Sequence, residues 1–552
     1  MPSGSTPRGV IAAGHKETVH AAKIILQQEG NAFDAALAAL VCACVVEPIL
    51  ASLGGGGYLL ARTGDGRPRV YDFFVQTPQQ RRPDAELDFF PISADFGTAQ
   101  QEFHIGKGSV AVPGVVRGIF EVHRELGTLP MRDIVAPAIS YAKKGVSVNE
   151  FQAYIFSIVG DICIATPGAA AIYGRYREAT HPGPQGFQAQ TPKLCNTQNK
   201  IYPVAQGEIL KQPVLADTLE SLAIEGDDLF YRGEIAKAIV RDMQDGGGHL
   251  TALDLAQYRL ERRKPLQFTY RGEQLFTNPP PSSGGILIAF ALKLLETVTF
   301  GQQTDTFDSM ERLTQLARVM DLTSQARIEA GLSEETHHLN PRLLDAEYLA
   351  TYRDRIMHAP RASRGTTHIS IIDRDGNVAS LSLSNGEGAG YVVPNTGIML
   401  NNMLGEQDIN PHGFHRWPTA HRMTSMMAPT MIERPTNNRG TKHPGDHIIA
   451  TGSGGSNRIR SAILQVLINI IDFKMDIEAA VRSPRIHHED ELLSIEGGFD
   501  EENIARLLAL FPNHHLWPGR NLFFGGTHTV LRNGDQFQGA GDARRGGISL
   551  VV

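Results

Sequence analysis

The chain is short of cysteine, of contiguous charge and of long apolar runs, and each shortage removes a class of protein. Four cysteines in 552 residues (Cys42, Cys44, Cys163 and Cys195) are too few to staple a fold of this size, and none forms a C-x-x-C pair suited to zinc or thioredoxin-type chemistry. They are expected as buried thiols in a reduced compartment. The formal net charge is −7, from 59 acidic and 52 basic residues without a long run of either sign, so neither a nucleic acid nor an anionic membrane is expected as a partner. A small molecule is expected instead. Met1 to His15 lacks an apolar h-region, which predicts a cytoplasmic protein without a secretory signal. The most apolar stretch, Ala35 to Leu53, contains Glu47-Pro48 and reads as a buried helix ending at Pro48.

Common catalytic punctuation is missing too. There is no G-x-S-x-G elbow, no G-x-x-x-x-G-K-[ST] loop and no H-E-x-x-H helix. Gly54 to Gly57 has no G-x-G-x-x-G spacing after it and reads as a tight packing turn. His487 and His488, adjacent on one strand, would point to opposite faces; His412, His415 and His421 fall in a loop without ligand spacing. No metal site is expected.

With 56 Gly, 31 Pro and 41% hydrophobic residues the composition is globular, which excludes disordered, collagen-like and coiled-coil chains. Length alone suggests three to four domains of about 150 residues. Apolar residues at helical spacing predict a helix from Thr18 to Glu29, and Gly30-Asn31 stops it and caps a second, Ala32 to Val46. Two strands are expected around Gly64-Asp65-Gly66, ending at Tyr71 to Phe74. Gly114 to Met357 reads as mostly amphipathic helix. At Arg361 the texture changes: the small basic stretch Arg361 to Gly365 precedes Thr366 to Ile372, an Asp373 to Gly376 turn, and Asn377 to Ser384, the pattern of a hairpin. Gly397 to Leu400, Ala428 to Ile432 and Ile448 to Thr451 read as strands, and Ile459 to Phe473 as a helix. Strands on both sides of Gly365 without βαβ alternation predict an α+β fold of packed antiparallel sheets covered by helices.

Thr366, opening a strand after a small loop, suits a strand simply as a β-branched residue. Its functional reading is that the hydroxyl attacks the preceding carbonyl, converts the Gly365–Thr366 peptide to an ester, and hydrolysis leaves Thr366 as a new N-terminus. The freed α-amine, with an ordinary pKa of about 7.7–8.0, could then serve as base for its own hydroxyl, so no His or Asp partner is needed.

A set of motifs in fixed order then narrows the choice: Glu29 to Ala36, Leu53 to Gly57, Val112-Pro113-Gly114, Pro279 to Gly285, Thr366 to Ser370, Gly397 to Asn402, Ala428-Pro429-Thr430 and Thr451 to Ser456. In these the chain resembles the γ-glutamyltranspeptidase (γ-glutamyltransferase, glutathione hydrolase) family of N-terminal nucleophile hydrolases, from about Gly9 to Gly547. The resemblance implies a four-layer αββα sandwich, one domain cut at Gly365–Thr366 into a large piece (1–365) and a small piece (366–552), a heterodimer compatible with further oligomerisation. It implies Thr366 as nucleophile, Ser384 as a hydroxyl partner, and Gly455 and Ser456 as main-chain oxyanion donors, with no cofactor and no metal.

The departures from the family pattern cluster at the acyl head group. Phe74 stands where an Arg pairs with the α-carboxylate of a γ-glutamyl group, and Met403 and Glu406 replace a Gln and an Asp that reach its α-amine. Met423 to Met427 retains Ser425 but has Met426 where a second carboxylate-binding hydroxyl is found, while Asn385 keeps a head-group Asn. Arg81 or Arg82 is a candidate substitute cation. The loop from Glu406 to Ser425 is shorter than in lidded members, which implies an open site or bulkier substrates. The expected activity is amide hydrolysis or acyl transfer through an acyl-enzyme. By family precedent the donor is a γ-glutamyl compound such as glutathione. The pocket residues favour instead an acyl group without the amino-acid head, oxamate-like or glutaryl-cephalosporin-like; a non-catalytic homologue is the third reading.

Overall fold

The structure is a computed structural model that describes residues 7–552 apart from 65, 96–99, 177–200, 297–305, 330–340, 346–347, 350–365, 411, 435–446 and 490. Two antiparallel sheets organise it. The first has seven strands in the spatial order Glu261–Arg263, Arg69–Phe73, Gly56–Arg62, Val378–Ser384, Thr367–Asp373, Gly9–Ala13 and Ile548–Val551. The second has six: Leu266–Tyr270, Glu273–Thr277, Thr430–Glu433, His447–Gly454, Gly526–Asn533 and Gln536–Ala540. They stack face to face, and hydroxyls tie them: Ser370 Oγ donates to the His528 carbonyl (2.9 Å) and Ser380 Oγ to that of Thr451 (3.1 Å). Lys16–Gln27 and Ala32–Val46 pack on the outer face of the first sheet, Gly284–Glu296 and Arg458–Ile471 on that of the second. The layers are therefore α, β, β, α.

Local chemistry explains the elements that frame the site. Asn31 accepts the Phe33 and Asp34 amides while Asp34 accepts that of Asn31, a capping box that starts Ala32–Val46. All fifteen residues of that helix are buried, as befits one apolar on every side. Among the described residues no helix is long and apolar enough to cross a membrane. In the hairpin Thr367–Asp373/Val378–Ser384, Asp373 Oδ1 accepts the amides of Asp375 and Asn377, and Gly376 takes a positive φ of 81° to close the turn.

Two expectations fail. Leu266–Tyr270 and Glu273–Thr277, inside the segment expected to be mostly helix, pair as a hairpin at the edge of the second sheet. Arg271 (φ 49°) and Gly272 (φ 84°) supply the two left-handed residues whose twist matches paired strands. Gly397 to Leu400, expected as a strand, forms only isolated bridges. Gly397 has φ 69°, and Thr396 Oγ1 takes the Ile398 amide that a ladder would need. The three to four domains suggested by length are not seen in the sheets, because each sheet draws strands from both sides of Thr366. Cys42, Cys44 and Cys163 are buried free thiols; Cys195 lies outside the described residues.

Candidate active site

The hairpin register sets Thr367 opposite Leu383, so one step outward Thr366 faces Ser384. Both are nearly buried and line one pocket at the end of the first sheet. Its apolar wall is Phe74, Met403, Ile409, Met426, Met427 and Ile459; its polar groups come from Ser425, Ser456, Glu406 and Asp408. Gly365 and the basic stretch from Arg361 lie outside the described residues.

The backbone of Thr366 is clamped. Its carbonyl accepts from Arg545 Nη1 at 3.3 Å, and the next residue, Thr367, donates its hydroxyl to Glu47 at 2.8 Å. The other Glu47 oxygen accepts from Thr18 Oγ1 at 2.9 Å. Burial pushes the Glu47 carboxyl up against the pull of those two hydroxyls and of Arg545. Burial beside Arg458 lowers the Arg545 guanidinium to about 10. From the other sheet, Gly454 approaches so closely that a Cβ there would sit 1.9 Å from the Thr366 oxygen. Sequence reasoning missed Arg545 and took Glu47 only as a helix stop. A carboxylate at the end of an otherwise apolar run was the available signal.

Gly455 (φ 123°) and Ser456 (φ 50°) carry the chain from that strand into helix Arg458–Ile471. Their carbonyls accept the Arg458 and Ile459 amides at 3.0 and 2.9 Å, while their own amides bond to no other described residue. Two amides without a partner among the described residues, beside Thr366, are the raw material of an oxyanion hole. Ser456 Oγ donates to Asp408 Oδ2 at 2.5 Å. Burial pushes the Asp408 carboxyl up to about 7, Glu489 and Glu406 add to this, and the Ser456 hydroxyl and Arg327 oppose it. Asp408 was not singled out in the sequence.

At the acyl end, Phe74 is 1% exposed and stacks on Tyr58 with centroids 5.4 Å apart. Neither candidate cation reaches it. Arg81 donates to the carbonyls of His415 (3.1 Å) and Trp417, and Arg82 to Glu86, Met243 and Gln244 (each 3.0 Å). Arg422 lies behind the pocket wall, on the Phe74 carbonyl, the Tyr258 hydroxyl and the Asp72 carboxylate (3.6 Å). Met403, Glu406, Ser425 and Met426 all line the pocket. Asn385 does not; it is fully buried with its amide beside Gly55 and Gly388. The glycine run packs rather than binds, since a Cβ on Gly54 or Gly55 would lie 2.4 or 2.3 Å from the carbonyl oxygens of Met399 and Ser384. The loop after Glu406 is pinned to the Phe74–Arg82 segment by the Met423 amide on the Val75 carbonyl (3.1 Å) and the Ala420 amide on that of Pro78 (3.0 Å). His487 bonds Ser461 (2.8 Å) and Glu489 (3.1 Å), His412 and His421 line a separate shallow hollow, and His415 packs on Phe89. Among the described residues no three His, Cys, Asp or Glu side chains converge as a metal-holding group.

The chain is similar to known proteins over most of its length. A family model described as gamma-glutamyltranspeptidase matches residues 18–552. The chain is 29% identical over 537 residues to a glutathione hydrolase proenzyme of Escherichia coli (strain K12), covering 91% of this chain and 85% of that one. It is 30% identical over 526 residues to the acylase ACY 1 proenzyme of Pseudomonas sp. (strain SE83), covering 92% and 87%. The crystal structure of a cephalosporin acylase from Bacillus halodurans superposes with a TM-score of 0.80 over 100% of this chain and 98% of that one, at 23% identity, which shows that the two share a fold. The chain therefore belongs to the γ-glutamyltranspeptidase family, whose members cut their own precursor and then hydrolyse amides or transfer their acyl groups.

Proposed function

We propose that this member is an acylase whose donor lacks the α-amino-carboxylate head of a γ-glutamyl group. In the matured enzyme the Thr366 α-amine takes the proton of its own hydroxyl, the oxygen attacks the amide carbonyl, and the Gly455 and Ser456 amides receive the developing oxyanion. The α-ammonium then protonates the leaving amine, and water or a second amine resolves the ester. The small piece, 366–552, supplies all of these groups; the large piece, 1–365, supplies Phe74 and the Glu47 clamp.

The observation that carries the choice of donor is the pocket lining: among the described residues that form it there is no Lys or Arg, and its two ionisable groups are the carboxyls of Glu406 and Asp408. An α-carboxylate entering here would be stripped of water against Phe74, Met403 and Met426 without a cationic partner. The missing charge-assisted bonds amount to about 3 kcal/mol, on the order of a hundredfold in kcat/KM. Two acidic neighbours raise the penalty for any free carboxylate. This favours neutral acyl chains over glutaryl ones.

The test is a side-by-side measurement of kcat/KM for γ-glutamyl, glutaryl and neutral straight-chain acyl anilides of matched length. The neutral acyl anilide is expected to be turned over at least a hundredfold better than the γ-glutamyl one. Equal or better γ-glutamyl turnover overturns the argument from Phe74.

A further inference from the structure

Ser456 is an anomaly in its strap. It follows Gly455 in the left-handed region (φ 50°), where a side chain is disfavoured. Something must hold it there. Among the described residues its hydroxyl bonds one side chain, donating at 2.5 Å to Asp408, which comes from a different loop, in the turn Gln407–Ile409. That loop is itself anchored, since Arg327 of helix Met310–Glu329 donates to the Asp408 carbonyl at 3.1 Å. Asp408 and Ser456 both line the pocket that contains Thr366.

We infer that Asp408 is a positioning residue for the oxyanion strap: its carboxylate, by gripping the Ser456 hydroxyl, fixes the left-handed turn that aims the Gly455 and Ser456 amides. The role is exerted through Ser456. A short O–H···O⁻ bond is among the strong ones and replaces the freedom a glycine would have used. The geometry also makes the grip pH-dependent, because protonation removes its charge. The groups facing Asp408 are Ser456, Arg327, Arg458, Glu406 and Glu489. With the carboxyl pushed up to about 7, the grip strengthens as pH rises through neutrality and weakens below it.

The inference rests on acyl transfer at Thr366 but not on the choice of donor, so its test uses whichever anilide the wild type turns over best. Asp408→Asn, Ser456→Gly and the double variant are compared for kcat, KM and the rate of self-cleavage. Asp408→Asn is expected to lower kcat 10- to 100-fold with KM within threefold. In the Ser456→Gly background the same change should alter kcat by less than threefold, because glycine takes the turn unaided. Ser456→Gly should also remove the part of the acid limb of kcat that belongs to Asp408, leaving that of the Thr366 amine. If Asp408→Asn does not mature, the same comparison is read from self-cleavage, with rescue in the double variant expected. An equal loss in both backgrounds, a loss confined to KM, no loss at all, or no rescue overturns the inference.

Discussion

Replacing Gly454 by alanine adds one methyl group at the point where the second sheet touches Thr366. Its Cβ would stand 1.9 Å from the Thr366 carbonyl oxygen and 2.9 Å from the carbonyl carbon. An ordinary contact is about 3.5 Å, so the two backbones must separate by more than about 1 Å. The carbonyl has little room to do so, because Arg545 Nη1 bonds it at 3.3 Å and lies 3.3 Å from the same added carbon. Overpacking of this kind costs about 1–3 kcal/mol of stability, and a misplacement of roughly 1 Å costs on the order of a hundredfold in a positioned reaction. Gly454→Ala is therefore expected to fold with a lowered Tm and to self-cleave about a hundredfold more slowly than wild type. The assay is a time course of precursor against the two products on a denaturing gel, with circular dichroism to show that the fold persists. Wild-type cleavage at an unchanged Tm would refute the claim that this contact sets the position of Thr366.

Two other outcomes follow from the same structure. Thr366→Ala should leave one uncut 60.2 kDa chain on a denaturing gel, and mass spectrometry of the wild-type small chain should begin at Thr366; a start at Thr367 would move the nucleophile by one. Stability should fall on acidification from about pH 6.5 towards 4, because burial lowers His15, His249, His447 and His528 to about 4. The unfolded chain binds their protons first, so unfolding gains as pH drops through that window. A second loss follows between about pH 4.5 and 2, where Glu489, held at about 2 by His487 and Arg460 despite its burial, loses its charge. Tm measured from pH 7.5 to 3 tests both steps, and His528→Gln should flatten the first.

The fold was legible where the signal is local. Asn31 with Asp34 is a capping box in the sequence as in space, and the turn at Asp373 to Gly376 announces its hairpin. The edge hairpin ending at Thr277 was readable in part, from the alternation of Leu266, Phe268 and Tyr270 before Arg271-Gly272, but the helical texture around it outweighed a five-residue pattern. Thr366, Ser384, Gly455 and Ser456 came from motifs, and the structure brings Thr366, Ser384 and Ser456 to one pocket. What could not be read was the support behind them. Glu47 meets Thr367 across 320 residues, Arg545 meets Thr366 across 179, and Asp408 meets Ser456 across 48. Such contacts are made by sheet stacking and loop docking, which leave no periodicity in the chain. The fate of Arg81 and Arg82 was likewise a matter of tertiary geometry, decided by backbone carbonyls more than 160 residues away in each case.

The strand order has a consequence for how the polypeptide could be rewired. Gly9–Ala13 lies between Thr367–Asp373 and Ile548–Val551, and the Arg8 amide bonds the Val552 carbonyl at 2.6 Å while the Val552 amide bonds that of Gly9 at 2.9 Å. The molecule thus has two places to join or open the chain, the Gly365–Thr366 bond at which self-cleavage is proposed and the point where residues 8 and 552 already touch. Joining the second and leaving the first open gives a circular permutant that runs from Thr366 through Val552 into Arg8 and ends at Gly365. Such a chain would hold the same strands in the same sheets and be born with its nucleophile at the front, maturation reduced to removal of the initiator methionine.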